Sequence, residues 1–205
     1  PSLKNVMQPM ITALRDISGG KLSAAPYDLG QTGIAYNTNQ ISKEKAEKLG
    51  VGLLWDKALK DKLGSWGADH RTNMWYAALY TGQSPNNITD INAVWKALEE
   101  QRGLMKKYWE SGSELMSLLA NEEIYATVAW SGRVAALQQQ GHPIGYLAPE
   151  GTYSWMEYIF VLKGTDLEVA QKLLNFMLEP DAAIAVAKGQ NYPPSLDPTK
   201  VAMPP

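Results

Sequence analysis

The alternation of short apolar segments with amphipathic segments constrains the fold of this chain more than any other feature of its sequence. Residues 124–130 read Ile-Tyr-Ala-Thr-Val-Ala-Trp and predict a strand, and shorter strands are predicted at residues 144–147 and 157–162. Apolar residues at helical spacing predict helices around these strands, and residues 165–168 match a capping box for a helix that ends near Met177. Strands that alternate with helices indicate an α/β fold with largely parallel sheets.

The charge and composition of the chain exclude several kinds of partner and site. Its 205 residues carry a formal net charge of -2, so there is no basic surplus to neutralise the phosphates of a nucleic acid. Cysteine is absent, which excludes a disulfide framework, a thiolate metal site and a thiol nucleophile. The two histidines have no partner at metal-ligand spacing, and no phosphate-binding loop occurs. We therefore expect neither a metal nor a cofactor, and no apolar run approaches the length of a membrane span.

The aromatic residues indicate a surface that is partly apolar and partly wet. Seven Trp and ten Tyr accompany only two Phe, so most of the rings have a polar edge. Such rings suit clefts and interfaces, although most of them are expected in the core and at its rim.

Several motifs, taken in order, resemble one known family. Residues 26–37 hold Pro-Tyr followed by Thr-Gly-Ile-Ala-Tyr-Asn, and residues 128–133 read Val-Ala-Trp-Ser-Gly-Arg. Residues 141–157 run from Gly-His-Pro-Ile-Gly-Tyr to Trp-Met-Glu, and residues 170–180 and 192–194 complete the order. From about Ala25 onward the chain resembles the polyamine-binding branch of the extracytoplasmic solute-binding proteins of ATP-binding-cassette (ABC) importers.

The resemblance implies a two-lobed, type II periplasmic-binding-protein fold that closes on its ligand. It implies a periplasmic or other extracytoplasmic location, a membrane-bound ABC permease as partner, and binding rather than an enzymatic activity. It also implies that the family's opening stretch is missing, so that the first lobe, residues 1–31 and 156–192, is incomplete. Residues 32–155 and 193–205 form the second lobe on this interpretation. Because an incomplete lobe exposes strand edges, we expect it to need the missing N-terminal piece or a swapped protomer.

Four residues are identified as ligand-binding by the resemblance. Trp130 and Trp155 match positions whose rings lie against an aliphatic amine, and an ammonium over an indole face gains about 0.5–2 kcal/mol. Glu157 matches an acid that pairs with a ligand ammonium, where polyamine binders usually have Asp. Tyr192 matches a further aromatic residue of the ligand cleft.

Other residues bear on the charge that the ligand carries. Ser131 and Gly132 are predicted to begin a helix directly after a strand, so free backbone N–H groups favour an anion there. Arg133 can add a bidentate fork for a carboxylate, although an exposed helix arginine is the simpler interpretation. Asp69 aligns with a second family acid but equally predicts the N-cap of the following helix. Thr72 stands where polyamine binders have another acid.

The predicted ligand is a zwitterionic ω-amino acid such as γ-aminobutyrate. The gain of Arg133 and the loss of an acid at Thr72 shift the site by two positive charges, and two like charges about 4 Å apart repel by about 4 kcal/mol. A polyamine is therefore disfavoured if Arg133 faces the ligand. On this hypothesis Arg133 binds the carboxylate of the ligand, and Glu157 binds its ammonium.

Three alternatives remain open. The same fold binds putrescine or spermidine if Arg133 points away from the ligand. A carbohydrate-binding protein also uses tryptophans as stacking surfaces, but it does not need Glu157 opposite Arg133. An enzyme would have to use Glu122 with Glu123, or Asp69 with His70, although adjacent carboxylates on a charged loop are usually only solvated.

Overall fold

The computed structural model describes residues 2–203, which form a mixed α/β structure. The six strands found in this range are β1 (Ala25–Asn37), β2 (Leu63–Trp66), β3 (Met105–Trp109), β4 (Ala126–Trp130), β5 (Ile144–Leu147) and β6 (Ser154–Ile159). The eight α-helices of the same range are α1 (Gln8–Ile17), α2 (Lys43–Leu49), α3 (His70–Tyr80), α4 (Ile91–Arg102), α5 (Gly112–Ala120), α6 (Ser131–Gln139), α7 (Leu167–Met177) and α8 (Pro180–Gln190). Three short 3-10 helices cover Ser2–Asn5, Gly50–Trp55 and Lys57–Leu59.

The chain divides into two compact units. Unit 1 consists of residues 1–30 and 154–205, and unit 2 of residues 31–153. These limits differ from the predicted lobes at residue 31, at residues 154–155, and in one longer segment, because residues 193–205 lie in unit 1. Their backbone pairs with that unit, through the bridges Asp28–Pro194 and Val6–Leu196. The lobe limits of the complete protein stay a prediction.

Unit 2 contains a mixed sheet in the order β3-β2-β4-β1-β5. Strand β2 is parallel to β3 and β4, whereas β1 is antiparallel to β4 and β5. The prediction of largely parallel sheets is therefore wrong for β1. Strands β4 and β5 are joined by α6 and run in the same direction, but β1 lies between them and runs the opposite way.

The core of unit 2 is one large hydrophobic cluster. Strands β1 and β4 bury nearly every residue of their apolar runs, as strands covered on both faces do. Trp109 is fully buried at the end of β3, and its indole N–H donates to Thr127 Oγ1 at 2.9 Å. Helix α3 begins after Asp69, whose side chain accepts the Arg71 N–H. The core thereby holds the ends of β2, β3 and β4 firmly in place.

Unit 1 has a much smaller core. Its largest buried cluster contains Val6, Ile11, Ala25 and Leu178. Helix α7 is strongly amphipathic, yet none of its residues is buried. Its exposed apolar residues, together with those that follow β6, are Phe160, Leu162, Leu167, Val169, Leu173 and Phe176.

Two local predictions for unit 1 need correction. Strand β6 covers Ser154–Ile159 rather than residues 157–162; it pairs with β1, and its Trp155 ring lies against Gly30 of that strand. Helix α7 is capped by Asp166, which accepts the N–H groups of Glu168 and Val169, and not by a Thr165 capping box. In both cases the element begins at a different residue from the one that the local sequence pattern indicated.

Candidate functional site

Unit 2 presents three indole rings at one edge of its sheet. Trp66, Trp109 and Trp130 are the last residues of β2, β3 and β4, which run parallel to one another. Trp66 and Trp109 stack with their ring centroids 5.6 Å apart, and Trp130 meets them edge-on at 4.9 and 5.2 Å. The carboxyl ends of parallel strands are the usual ligand-binding edge of such sheets. Sequence reasoning identified Trp130 but missed the other two, although each tryptophan ends its strand just before a turn or helix.

Arg133 lies on the first turn of α6, next to this indole cluster. The helix begins at Ser131 directly after Trp130, as predicted, and Gly132 is buried there. Arg133 is half-buried, and its Nε is fully buried without a hydrogen-bond partner among residues 2–203. No acid of that range lies within ion-pair distance of its guanidinium. A buried guanidinium N–H without an acceptor is costly, so an anion at this position would be stabilised.

Gly112, the first residue of α5, makes room for Arg133. A side chain at this position would place a Cβ 2.9 Å from Arg133 Nε and 3.2 Å from the Trp130 ring. The absence of that Cβ therefore lets the guanidinium and the indole approach the start of α5. The surface formed by Trp130, Arg133 and Gly112 combines an apolar wall with one positive charge.

Asp69 is the N-cap of α3. Its carboxylate accepts the backbone N–H of Arg71 at 3.0 Å and the hydroxyl of Thr72 at 3.1 Å, and it pairs with Arg71 Nε at 3.0 Å. Although desolvation acts to raise it, these hydrogen bonds hold the pKa of Asp69 below its usual value. The capping role is thus supported by geometry, whereas a ligand-binding role for Asp69 stays a prediction. Thr72 is buried and shares a 2.6 Å hydrogen bond with the Tyr153 hydroxyl.

Unit 1 brings together the other predicted aromatic pair. Trp155 lies within β6, and its ring occupies the space that a side chain at Gly30 would take. The Tyr192 ring meets it edge-on with centroids 5.0 Å apart. Glu157 is two residues beyond Trp155, on the same face of β6, and is exposed. The structure therefore groups Trp155, Glu157 and Tyr192 within unit 1, and Trp130 with Arg133 within unit 2.

Sequence reasoning missed an acid in unit 1. Asp28 is the fourth residue of β1, is only 4% exposed, and its Oδ1 has no hydrogen-bond partner in the described range. Desolvation, and then the charge of Glu157, raise the pKa of Asp28 to about 6. The available signal was a charged residue inside an otherwise apolar, glycine-containing extended segment.

A match to a known protein family identifies the kind of protein to which these two groups of residues belong. The chain matches the family of bacterial extracellular solute-binding proteins over residues 2–200. It belongs to that family. The predicted family is thereby confirmed, and the description of the family agrees with the predicted extracytoplasmic location.

Two curated relatives indicate the branch to which this solute-binding family member is similar. The spermidine/putrescine-binding periplasmic protein of Salmonella typhimurium is 29% identical over 185 residues, covering 88% of this chain and 52% of the relative. The γ-aminobutyric acid-binding protein of Pseudomonas aeruginosa is 29% identical over 89 residues, covering 43% of this chain and 25% of the relative. The chain spans about half the length of the first of these relatives. Both are named as binding proteins rather than enzymes.

A solved structure confirms the predicted fold class. A spermidine/putrescine ABC transporter substrate-binding protein from Streptococcus pneumoniae superimposes with a TM-score of 0.79 at 18% identity. The match covers all of this chain and 62% of the other, as expected for a type II binding-protein fold with one lobe incomplete. Within residues 2–203, no helix has the length and apolar character needed to cross a membrane.

Proposed function

We propose that this chain is part of the solute-binding component of an ABC importer and that its ligand is a short ω-amino acid such as γ-aminobutyrate. In this proposal Arg133 binds the carboxylate of the ligand, and Glu157 binds its ammonium. Trp130, Trp155 and Tyr192 supply apolar surface for the methylenes between these two charged groups. The ABC permease that receives the ligand is a partner by analogy with the named relatives.

The observation that carries the proposal is the state of Arg133. Its Nε is buried and has no partner in the described part of the chain, and it lies beside the Trp130 ring. Burial of this atom places the end of the Arg133 side chain against the start of α5 and near the Trp130 ring. A buried charged donor is destabilising unless it donates a hydrogen bond to an acceptor. A ligand carboxylate has the planar geometry that fits a guanidinium.

A polyamine is the second candidate, and two observations favour it. Several curated relatives are named for spermidine or putrescine, and unit 1 contains two acids, Asp28 and Glu157, that interact electrostatically. The charge of Arg133 opposes it, because a second ammonium about 4 Å away would be repelled by about 4 kcal/mol, which is about a thousandfold in affinity. A carbohydrate is less well supported, since it needs neither Arg133 nor Glu157.

Isothermal titration calorimetry with γ-aminobutyrate, putrescine and spermidine tests the proposal. We expect γ-aminobutyrate to bind more tightly than either polyamine, and Arg133→Gln to weaken it by about 10- to 100-fold without weakening putrescine. Arg102→Gln, which removes an exposed arginine of the same unit, is the matched control and should change nothing. Tighter binding of a polyamine, or equal loss in both variants, would contradict the ω-amino acid.

We also propose that the apolar face of unit 1 is covered in the complete protein. Helix α7 buries none of its apolar residues, and Phe160 and Phe176 are 64% and 60% exposed. A monomeric protein seldom exposes an apolar patch of this extent. The polypeptide by which the relatives exceed this chain in length, or a swapped protomer, would cover it. A mass spectrum and unfolding curve showing a cooperatively folded monomer of residues 1–205 alone would contradict this.

A further inference from the structure

Asp28 is a deeply buried acid of unit 1. Its side chain is more than nine-tenths buried, and Oδ1 receives no hydrogen bond from residues 2–203. No basic group of that range lies within ion-pair distance of it. A buried carboxylate in this state is destabilising unless a proton or a cation neutralises it.

The position of Asp28 on its strand directs it to the predicted ligand-binding aromatics of unit 1. Side chains alternate along a strand, so Asp28 shares a face of β1 with Gly30. The ring of Trp155 fills the space above Gly30, and Glu157 lies on the same face of β6 as Trp155. Asp28, Trp155 and Glu157 are thus on one side of two paired strands.

A small cavity of unit 1 lies against Asp28. Its volume is about 10 Å³, which is about the room that one water molecule needs. An ammonium group is of similar size. The lining comes from β1, from the two last helices and from the tail after them, and consists of Tyr27, Asp28, Met177, Ala183, Val186, Ala187, Gln190 and Pro194. Asp28 is the acid of this lining, which contains neither Trp155 nor Glu157, and the residues from the two helices do not titrate.

We propose that Asp28 and Glu157 bind the same ligand ammonium, with Asp28 as the buried residue that makes the site specific for primary amines. The assignment rests on the proposed function, because it concerns the amine-binding part of the same protein. Two carboxylates can accept two of the three N–H donors of a primary ammonium, and the Trp155 ring contacts the adjoining methylene. A hydroxyl or other neutral group in this place would leave one buried negative charge uncompensated.

The first test measures the affinities of Asp28→Asn for γ-aminobutyrate, putrescine and spermidine by calorimetry. We expect a loss of at least 10-fold for whichever amine the wild-type protein binds. Asp181→Asn, an exposed acid in the first turn of α8, makes the same charge change in unit 1 and should leave the affinities unchanged. Thermal unfolding of the variants establishes that each is folded.

The outcomes separate this inference from the proposed ligand. If putrescine binds best and Asp28→Asn weakens it, the ω-amino acid is wrong and the role of Asp28 stands. If Glu157→Gln weakens amine binding but Asp28→Asn does not, the role of Asp28 is overturned and the proposed function stands. Binding only of a ligand without an amine overturns both.

A second measurement uses only the wild-type protein, so its result does not depend on whether a variant folds. Wild-type binding near pH 6, titrated in buffers of different ionisation enthalpy, should release about half a proton, because the ammonium displaces a proton from a carboxyl that is half-protonated there. The other titratable groups on this side are Glu157 and Tyr27. No proton release near pH 6 would contradict a direct contact with Asp28.

Discussion

Replacing Asp28 with Asn should stabilise the unliganded protein at neutral pH. The carboxyl of Asp28 has its pKa raised from 3.8 to about 6, chiefly by desolvation and then by Glu157. The folded protein therefore binds this proton more tightly than the unfolded chain does, and the ionised form weakens the fold above pH 6. A shift of about 2 pH units corresponds to about 3 kcal/mol, since one unit is worth about 1.4 kcal/mol. Asn has nearly the same shape and carries no charge at any pH.

The size of the effect should change with pH in a defined direction. At pH 8 Asp28→Asn should raise the free energy of unfolding by up to about 3 kcal/mol, and by almost nothing well below the unfolded-state pKa of 3.8, where the wild-type carboxyl is protonated in both states. Urea unfolding followed by tryptophan fluorescence, at pH 4, 6 and 8, measures this difference. Asp181→Asn should show no such trend. A loss of stability at pH 8, or a difference that is the same at pH 4 and pH 8, would refute the reasoning.

Three further predictions concern unit 2. Arg133→Lys keeps the charge but loses the bidentate fork, so it should weaken γ-aminobutyrate by about 10-fold in calorimetry; an unchanged affinity would argue against a direct carboxylate contact. Gly112→Ala places a methyl group 2.9 Å from Arg133 Nε, and should weaken the same ligand while the chain stays folded by circular dichroism; equal affinities would show that the guanidinium is not held there. Asp69→Ala removes the N-cap of α3 and should cost about 1 kcal/mol in urea unfolding with little effect on affinity, whereas a large affinity loss would reveal a ligand contact.

Local sequence signals were sufficient where neighbouring residues determine the structure. Helix α3 begins at His70, directly after its predicted N-cap Asp69. Strand β5 likewise has the predicted bounds, residues 144–147. The start of α6 after Trp130 also follows directly from the strand and the Ser131-Gly132 pair.

Other elements depended on contacts that a pattern does not show. Strand β3 was not predicted, because it is an edge strand and its exposed residues include Lys106 and Lys107, which break the apolar alternation. The start of β6 was misplaced because the strand is defined by its pairing with β1, which is distant in sequence. The antiparallel direction of β1 also depends on its position between β4 and β5, and no local sequence pattern predicts which strands are neighbours in the sheet.

Some of the candidate residues were likewise accessible from local sequence, whereas others depend on contacts between distant segments. The predicted grouping of Trp130 with Arg133 follows from a spacing of three residues on one strand-to-helix junction, and it was accessible from sequence. Trp66 and Trp109 join this cluster only because β2, β3 and β4 are neighbours. Asp28 was overlooked because an acid in a strand is expected at the surface, and its burial depends on α8 and on the tail, which are distant in sequence.

Native mass spectrometry of the protein purified without added ligand tests the central claim most directly. We expect any co-purified molecule to have the mass of a short ω-amino acid, and added γ-aminobutyrate, but not added sugar, to bind to the unliganded fraction. Retention of putrescine or spermidine that γ-aminobutyrate fails to displace would contradict the account. The charge of Arg133 would then have to be neutralised by something other than the ligand.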